Sequence, residues 1–502
     1  MAYEEMNPKE FYDEHKTDRK DYETRAEKFA AITLPYLMRK DGSTKGTEMD
    51  DETSQSYCGR LVNTLKSKMG MALLPASMSS FRFVPNQEAF EKIVGSDNKK
   101  AMTDIHKGLS QKTLLINTEI ERQAIRESLF MLIANMMVVG SLIVEKKEKK
   151  GVVLHPLKTI AVDLDNQGEA LAMCFVENLK RLPEGITADE VQDEYELYTF
   201  IYSDEEGDGW TVVQSIGEDK VGDEQKYKRD TLPYQYLGWT WMPGEDMHRP
   251  YVEDYYNDMS QLDKLASVLT DGAVIASKSL LFCDQRGGRT RTKDVANSKN
   301  GDVVDGSADD VTAFQLGKNY DFQVPMEREA NLKRELSAAF LMNESASRDA
   351  ERVTKAEIMF MAKELEESSM SGIYSMMATK WSKWIVRMIM QELSIKFDAV
   401  EPEIITGLDA LGRSQEATSL DNYVGRLMNM GMEEYLNKEA LALKYAALEG
   451  IDVTGIINTQ EEVDEARAKA RTQAMEDQAL AAGADELGKV GAGNMAGQPQ
   501  PQ

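Results

Sequence analysis

Tyr251-Val-Glu-Asp-Tyr-Tyr-Asn-Asp-Met-Ser-Gln-Leu-Asp-Lys-Leu265 opens the stretch, running on to Leu393, whose pattern decides the fold. Met259, Leu262, Leu265, Leu269, Ala276 and Leu280 recur at three- and four-residue spacing, which predicts a helix over Glu253–Leu281 with one buried face. Cys283 to Val324 is rich in Asp, Gly, Asn and Arg and reads as a polar loop. Leu332, Leu336, Ala339 and Phe340 predict a second helix over Met326–Met342. Asn343 to Arg352 carries no large apolar side chain. Thr354 and Glu357 have capping-box spacing and predict the start of a long helix. Ile358, Met361, Leu365, Ile373, Met376, Ile385 and Ile389 continue it. At a rise of about 1.5 Å per residue it would be roughly 60 Å long. A kink is expected at Ser368-Ser-Met-Ser-Gly372, where Gly and Ser weaken the ladder. Two readings stand: a long core helix of an all-α domain, or a helix–loop–helix spoke backed by a long helix.

Outward from this stretch, Asn7-Pro8-Lys9-Glu10 is a helix start, with Asn as cap and Pro at the first helical position. That helix is expected to reach about Met38. Another is expected from Glu52 to Pro75, with Leu61, Leu65, Met69 and Leu73 on one face. Phe81 to Val84 reads as a short strand, Asn98 to Val139 as helix, and Ser141 to Lys146 as strand. Between Gly151 and Trp241 the pattern changes to short β-branched and aromatic runs at Gly151–Leu154, Thr159–Val162, Ala170–Asn178, Tyr195–Tyr202 and Trp210–Ile216. Asn166-Gln-Gly168 and Glu206-Gly-Asp-Gly209 sit between them as turns. The fold class is therefore mainly α with a β-rich insert over residues 151–241, an α+β chain. After the long helix, Lys396–Ile405 reads as extended, Ser414–Met430 and Glu433–Leu448 as a helical pair, and Thr459 as the cap of a helix to about Ala481. Residues 482–502 are rich in Gly, Ala and Gln and read as a flexible tail.

The 502 residues carry a formal charge of −27, which argues against a nucleic-acid binder held by bulk electrostatics. It leaves open a protein that surrounds DNA without gripping it. Cys58, Cys174 and Cys283 are far apart, with no ligand spacing, which fits a reducing compartment without a disulfide framework. Met1 to Arg25 is charged throughout and reads as no signal peptide. The most apolar run, Leu129 to Val144, is shorter than the ~20 residues of a spanning helix, so no membrane association is expected. The 29 methionines suit adaptable core filling or an interface that repacks.

No catalytic or cofactor site is legible. His15, His106, His155 and His248 each stand apart from other metal-type ligands in sequence and read as surface or packing residues. Gly301 to Gly306 has the glycine spacing of a phosphate-binding loop, but Ser307-Ala308 replaces the Lys-Ser/Thr that would meet the phosphates. Asp163-Leu-Asp165 begins like a calcium loop, yet Gln167 and Cys174 occupy ligand positions five and twelve. An enzyme is disfavoured. The alternatives are a metal-dependent nucleic-acid enzyme assembled from scattered carboxylates, and a soluble scaffold or adaptor protein without a channel.

Glu351-Arg-Val-Thr-Lys-Ala-Glu-Ile358, Glu364-Leu-Glu-Glu367 and Gly372-Ile-Tyr-Ser375 resemble the hallmark segment of the head-to-tail connector, or portal, proteins of short-tailed bacteriophages. Tyr22-Glu-Thr-Arg-Ala26, Leu61 to Lys68, Arg249-Pro-Tyr-Val-Glu-Asp-Tyr255, Glu401 to Leu408 and Gly450 to Ile456 extend the resemblance along the chain in order. Ala350-Glu351 stands where relatives often have Gly-Glu. The resemblance implies a homo-oligomeric ring, typically a dodecamer, at one capsid vertex of the virion, assembled in the bacterial host cytoplasm. Double-stranded DNA would pass through it during packaging and ejection. The terminase packaging motor, the tail adaptor, and the major capsid and scaffolding proteins would be its partners, and no cofactor is implied.

The resemblance also names regions. Residues 1–250 would be wing, 251–281 and 326–342 the two stem helices, 282–325 the clip and 343–353 a channel loop. Residues 354–413 would be the long wing helix with a return strand, and 414–481 the crown. Leu262, Leu265 and Leu269 would pack the stem. Arg286, Arg289, Arg291 and Lys293 are either a solvated face or a docking surface for motor or adaptor, where Arg pairs with carboxylates. Arg348 and Arg352, set among Glu344, Asp349 and Glu351, would form positive girdles in the channel; Arg352 could instead pair with Glu351 or Glu357. The acidity suits a conduit whose walls repel phosphate, and equally suits ordinary solubility.

Overall fold

Asn7 caps the first helix, α1 (Pro8–Ile32): its side-chain oxygen accepts the Lys9 N–H at 2.9 Å, and Pro8 supplies the fixed φ of the first turn. The computed structural model describes residues 3–39, 53–76, 79–85, 99–182, 193–204, 209–276, 280–283, 293, 297, 311–314, 323–342, 355–395, 402–407 and 413–432, with single positions at 436, 441–442, 445, 469 and 471–472. The chain forms two compact units. The first comprises Met1–Ser80, Ile116–Lys396 and Thr406–Leu408; the second comprises Phe81–Leu115, Phe397–Ile405 and Asp409–Gln502.

In the first unit α1 is followed by α2 (Tyr57–Leu73). Strand β1 (Phe81–Pro85) belongs to the second unit, and α3 (Lys99–Arg122) contributes its last turns to the first. Helix α4 (Ile125–Val138) follows. The continuous helix expected over Asn98–Val139 is thus two helices, because Ala124 takes a left-handed φ of 52° that no helix interior accommodates. Gly70 lets α2 and α4 approach: a Cβ there would lie 2.2 Å from the Phe130 ring. Leu61, Val62, Leu65 and Met69 of α2 and Leu129, Leu132 and Ile133 of α4 are fully buried.

The β-rich insert forms two sheets. Strands β2 (Ser141–Lys147), β3 (Gly151–Pro156) and β9 (Tyr234–Gly238) make one, in the order β3-β2-β9. Strands β4 (Ile160–Leu164), β5 (Ala170–Leu179), β6 (Tyr195–Ser203), β7 (Gly209–Ile216) and β8 (Asp219–Lys228) make an antiparallel five-stranded sheet in sequence order. Helix α1 lies on this sheet, with Phe11 and Tyr12 packed among Cys174, Tyr198, Phe200, Tyr202 and Val213. Arg19, nearly inaccessible, donates to the Ile160 carbonyl and to Tyr12 Oη and pairs with Glu23 at 2.6 Å, so its buried charge is compensated. Asp165 Oδ1 accepts the N–H groups of Gln167 and Glu169 at 2.7 and 2.8 Å, which makes the calcium-like segment a self-satisfied turn. Strands β8 and β9 lie beyond the sequence reading.

Helix α5 (Tyr251–Ala276) stops short of the Leu281 expected for it. Leu280–Cys283 is strand β10, paired antiparallel with β11 (Val311–Phe314) inside the segment read as loop. Helix α6 (Gln323–Ala339) starts earlier and ends earlier than the predicted Met326–Met342. Its end is a left-handed cap at Leu341, φ 52°, across which Met342 N–H reaches back to Ser337 O at 2.8 Å.

The long helix is broken, as expected, at Ser368. Helix α7 (Lys355–Glu367) ends where the Ser368 hydroxyl donates to Leu365 O at 2.9 Å and accepts Met370 N–H at 3.2 Å. Helix α8 (Ser371–Met376) leads into a widened π turn at Met377–Trp381, then α9 (Ser382–Glu392). In the wide turn Ser382 N–H reaches back five residues to Met377 O and bypasses Ala378 O. The Thr406 hydroxyl donates to that bypassed carbonyl, and Gly407, φ 71°, passes so close that its Cβ would stand 3.1 Å from Ala378 Cβ. The Thr354 cap lies outside the described residues.

In the second unit β1 pairs with β12 (Pro402–Thr406), the extended segment expected over Lys396–Ile405. Helix α10 (Arg413–Asn429) fulfils the prediction of Ser414–Met430. The paired helix expected after it and the C-terminal tail fall outside the described residues, apart from isolated positions. The protein is α+β, as its patterning indicates.

Candidate functional site

Helices α5 and α6 form an arm closed by the β10–β11 hairpin. Its root is built from aromatic rings. Tyr251 donates its hydroxyl to Ala339 O at 2.9 Å, and the Phe340 ring lies 5.0 Å from Tyr251 and 5.5 Å from Tyr255. Trp239 stands against Tyr251, and Phe29 of α1 against Tyr256. Tyr57 donates to Lys333 O at 3.0 Å and shares a hydrogen bond with Ser337. Ion pairs surround this joint. Glu253 receives Arg25 at 3.0 Å and Arg249 at 3.1 Å, and Arg249 also clamps Glu245. Those hydrogen bonds hold the Glu245 carboxyl below its ordinary range. Lys68 Nζ donates to Leu341 O at 2.6 Å and to Glu364 at 2.8 Å, which fastens the left-handed cap of α6 to α7.

A seam of Met259, Leu262, Leu332, Leu336 and Phe340 runs outward from the root, each residue fully buried. Beyond Leu262 the seam opens. Leu265 and Leu269 are half-buried. Val268 is 56% exposed, Val274 51%, Val324 72% and Met326 58%. Single exposed apolar residues are ordinary; these stand at the outer ends of the two arm helices, on more than one side of them.

Of the residues picked from the sequence, Leu262 is core, and Leu265 and Leu269 are half-buried. Lys293 is exposed. Arg286, Arg289, Arg291, Arg348 and Arg352 lie outside the described residues.

Three features were not picked. Lys146 and Glu392 form an ion pair at 2.9 Å with side chains only 3% and 6% accessible. Glu392 also accepts from Gln123 Nε2 and from Lys149 N–H, each at 2.9 Å. Burial would raise its carboxyl, but the contacts with Lys146 and Gln123 outweigh burial and hold it low. A cavity of about 140 Å³ is lined by Tyr236, Trp239, Trp241, His248, Met376 and Lys380. Burial, with the Lys380 charge adding to it, pushes the His248 imidazole down to about 4. Among the described residues, Glu145, His155 and Glu177 bring one ligand atom each within 4.8 Å of one another. Only the alternation of β2, which sends Glu145 and Lys147 to one face and Lys146 to the other, was visible beforehand.

The profile of the family described as bacteriophage head to tail connecting protein matches residues 8–457. The portal protein of Escherichia phage T7 is 29% identical, covering 95% of this chain and 93% of that protein. The portal protein of Enterobacteria phage T3 is 28% identical over 97% and 94% of the two chains. That of Pseudomonas phage phiKMV is 27% identical over 80% and 81%. Among solved structures, a chain from the neck of an empty gene transfer agent particle is similar at 12% identity and a TM-score of 0.38, covering 79% of this chain and 90% of that one. Matched by the family profile over most of its length, this chain belongs to the bacteriophage head-to-tail connecting proteins and is a portal-type connector.

Proposed function

We propose that identical copies of this chain close into a ring, typically of twelve in such families, at one capsid vertex. Double-stranded DNA passes through its centre, and the tail attaches to it. The observation that carries this reading is the outer arm, where Val268, Val274, Val324 and Met326 stand exposed. Covering an apolar side chain of this size contributes about 1.5–3 kcal/mol. Neighbouring copies on the two sides of the arm cover these residues between them, and a repeated head-to-tail contact of this kind closes into a ring when the rotation allows. The formal charge of −27 supports a conduit along which phosphate slides without adhering.

Within this reading α5 and α6 are the stem, residues 282–325 the clip, 343–353 the channel loop and 414–481 the crown. Arg348 and Arg352 meet the DNA backbone without reading sequence. Arg286, Arg289, Arg291 and Lys293 dock the packaging motor or the tail adaptor. The role is structural, and bond-making chemistry belongs to the motor.

The test separates folding from assembly. Val268→Asp with Val324→Asp places charge on residues that the subunit leaves exposed. The expected outcome is wild-type circular dichroism with monomers, where the wild type gives rings by light scattering and negative-stain imaging. Rings from the double variant would overturn the reading.

A further inference from the structure

We propose that Glu145, His155 and Glu177 form a binding site for a divalent transition-metal ion of the Zn²⁺ class, which staples the two sheets of the β-rich insert together. The three residues come from three strands. Glu145 on β2 and His155 on β3 share a face, because Ile143 is the register partner of His155 and Glu145 lies two residues along. Glu177 stands on β5, in the other sheet. His155 Nε2 and Glu145 Oε2 are 3.1 Å apart. Two donors at about 2.0–2.1 Å from a tetrahedral zinc are separated by about 3.3 Å, so this pair already has the bite of such an ion.

The imidazole is preorganised. Its ring stacks on Phe175 at 3.7 Å and 21°, and its side chain is 4% accessible. Stacking fixes the ring plane and aims Nε2 at Glu145. Glu145 and Glu177 keep a little more contact with solvent, at 14% and 22%, which leaves the ion a way in.

A second observation points to a cation here. The Lys147 ammonium occupies the space between the two carboxylates, at 3.4 Å from Glu145 and 3.5 Å from Glu177. Lys147 donates to Glu177 and pairs with Glu145, both at distances longer than the about 2.7–2.9 Å of a close charge-assisted N–H···O bond. Contrast its neighbour Lys146, which meets Glu392 at 2.9 Å and is buried. Lys147 is a third exposed and carries a flexible stem, so a dication entering between the carboxylates displaces it into solvent. The donor set selects the metal class. One imidazole and two carboxylates, with a fourth position left for water, suit Zn²⁺ or Co²⁺; Mg²⁺ prefers all-oxygen octahedral surroundings.

Metal-free full-length protein titrated with Zn²⁺ by calorimetry tests this, with Co²⁺ absorption as a second probe of ligand number. The expected result is one Zn²⁺ per subunit at micromolar affinity or tighter, undisturbed by millimolar Mg²⁺, with a higher melting temperature. His155→Ala and Glu177→Gln should each weaken it at least 100-fold. Lys147→Met removes the resident cation and should tighten binding at least tenfold. That variant guards against a His155 replacement that simply unfolds the joint. Failure of Zn²⁺ to bind Lys147→Met, or binding indifferent to His155 and Glu177 in folded variants, would overturn the site.

Discussion

The end of β2 and the outer arm are opposites. At β2, two opposite charges are almost wholly buried, and Glu392 has three donors within 2.9 Å. On the outer arm, apolar residues stand exposed and Leu265 and Leu269 are only half-buried. Buried charge that is fully paired marks a region completed by its own chain. Apolar surface left in water marks a region that another molecule completes. The contrast separates what makes the subunit fold from what makes it assemble.

The largest test breaks the buried pair. Lys146→Ala leaves Glu392 buried without its cation and should cost about 3–5 kcal/mol in urea unfolding. Lys146→Met combined with Glu392→Met should recover most of that loss, since both charges leave together. A single substitution that costs under about 1 kcal/mol would mean that water reaches the pair, and the contrast would fail.

Within the arm, Leu262→Ala should cost about 2–5 kcal/mol, because Leu262 is fully buried. Val324→Ser, only a short way outward, should change subunit stability by about 0.5 kcal/mol or less. It should still shift the monomer–ring balance measured by analytical ultracentrifugation. Equal stability losses at the two positions would erase the boundary between root and outer arm.

Acid gives the mildest probe. The folded state holds His248 near 4, below its ordinary value of about 6.5, so folding favours the neutral ring. Its contribution is whole above pH 6.5 and declines as the pH falls toward 4. Glu119 lies near 2, held there mainly by its hydrogen bond from Arg122, so its contribution declines only below about 4.5. The melting temperature should therefore be level above pH 7, fall gently from 6.5 to 4, and fall faster below. His248→Gln should remove the upper limb alone. The same gentle fall in that variant would assign the limb to another group.

The elements legible in the sequence are those with one buried face. The cap at Asn7, the arm helices and the break at Ser368 all rest on local pattern, and the structure has them. Strand β8 escaped because it is an edge strand with no buried residue, so its polar sequence alternates with nothing. The end of α5 was misplaced because Leu280 and Leu281 continue a helical spacing while belonging to a hairpin whose other half is about 30 residues away. Lys146 read as the charged end of a strand; its partner Glu392 lies 246 residues on, beyond any local pattern. His155 read as a packing residue, and it does pack, on Phe175, but Glu145 and Glu177 reach it only through the pairing of strands. The wide turn at Met377–Trp381 leaves no mark on apolar spacing, and Thr406, which completes it, is again distant.

The packing of α1 sets a clock on synthesis. Phe11 rests against Phe200, with ring centroids 4.6 Å apart, so the first helix leaves the ribosome long before its sheet exists. At roughly 5–20 residues per second, the roughly 190 residues between them take about 10–40 s to make. For that time Phe11 and Tyr12 are an exposed, unanswered surface on a nascent chain. The first helix can therefore dock only after the strands that receive it have been made.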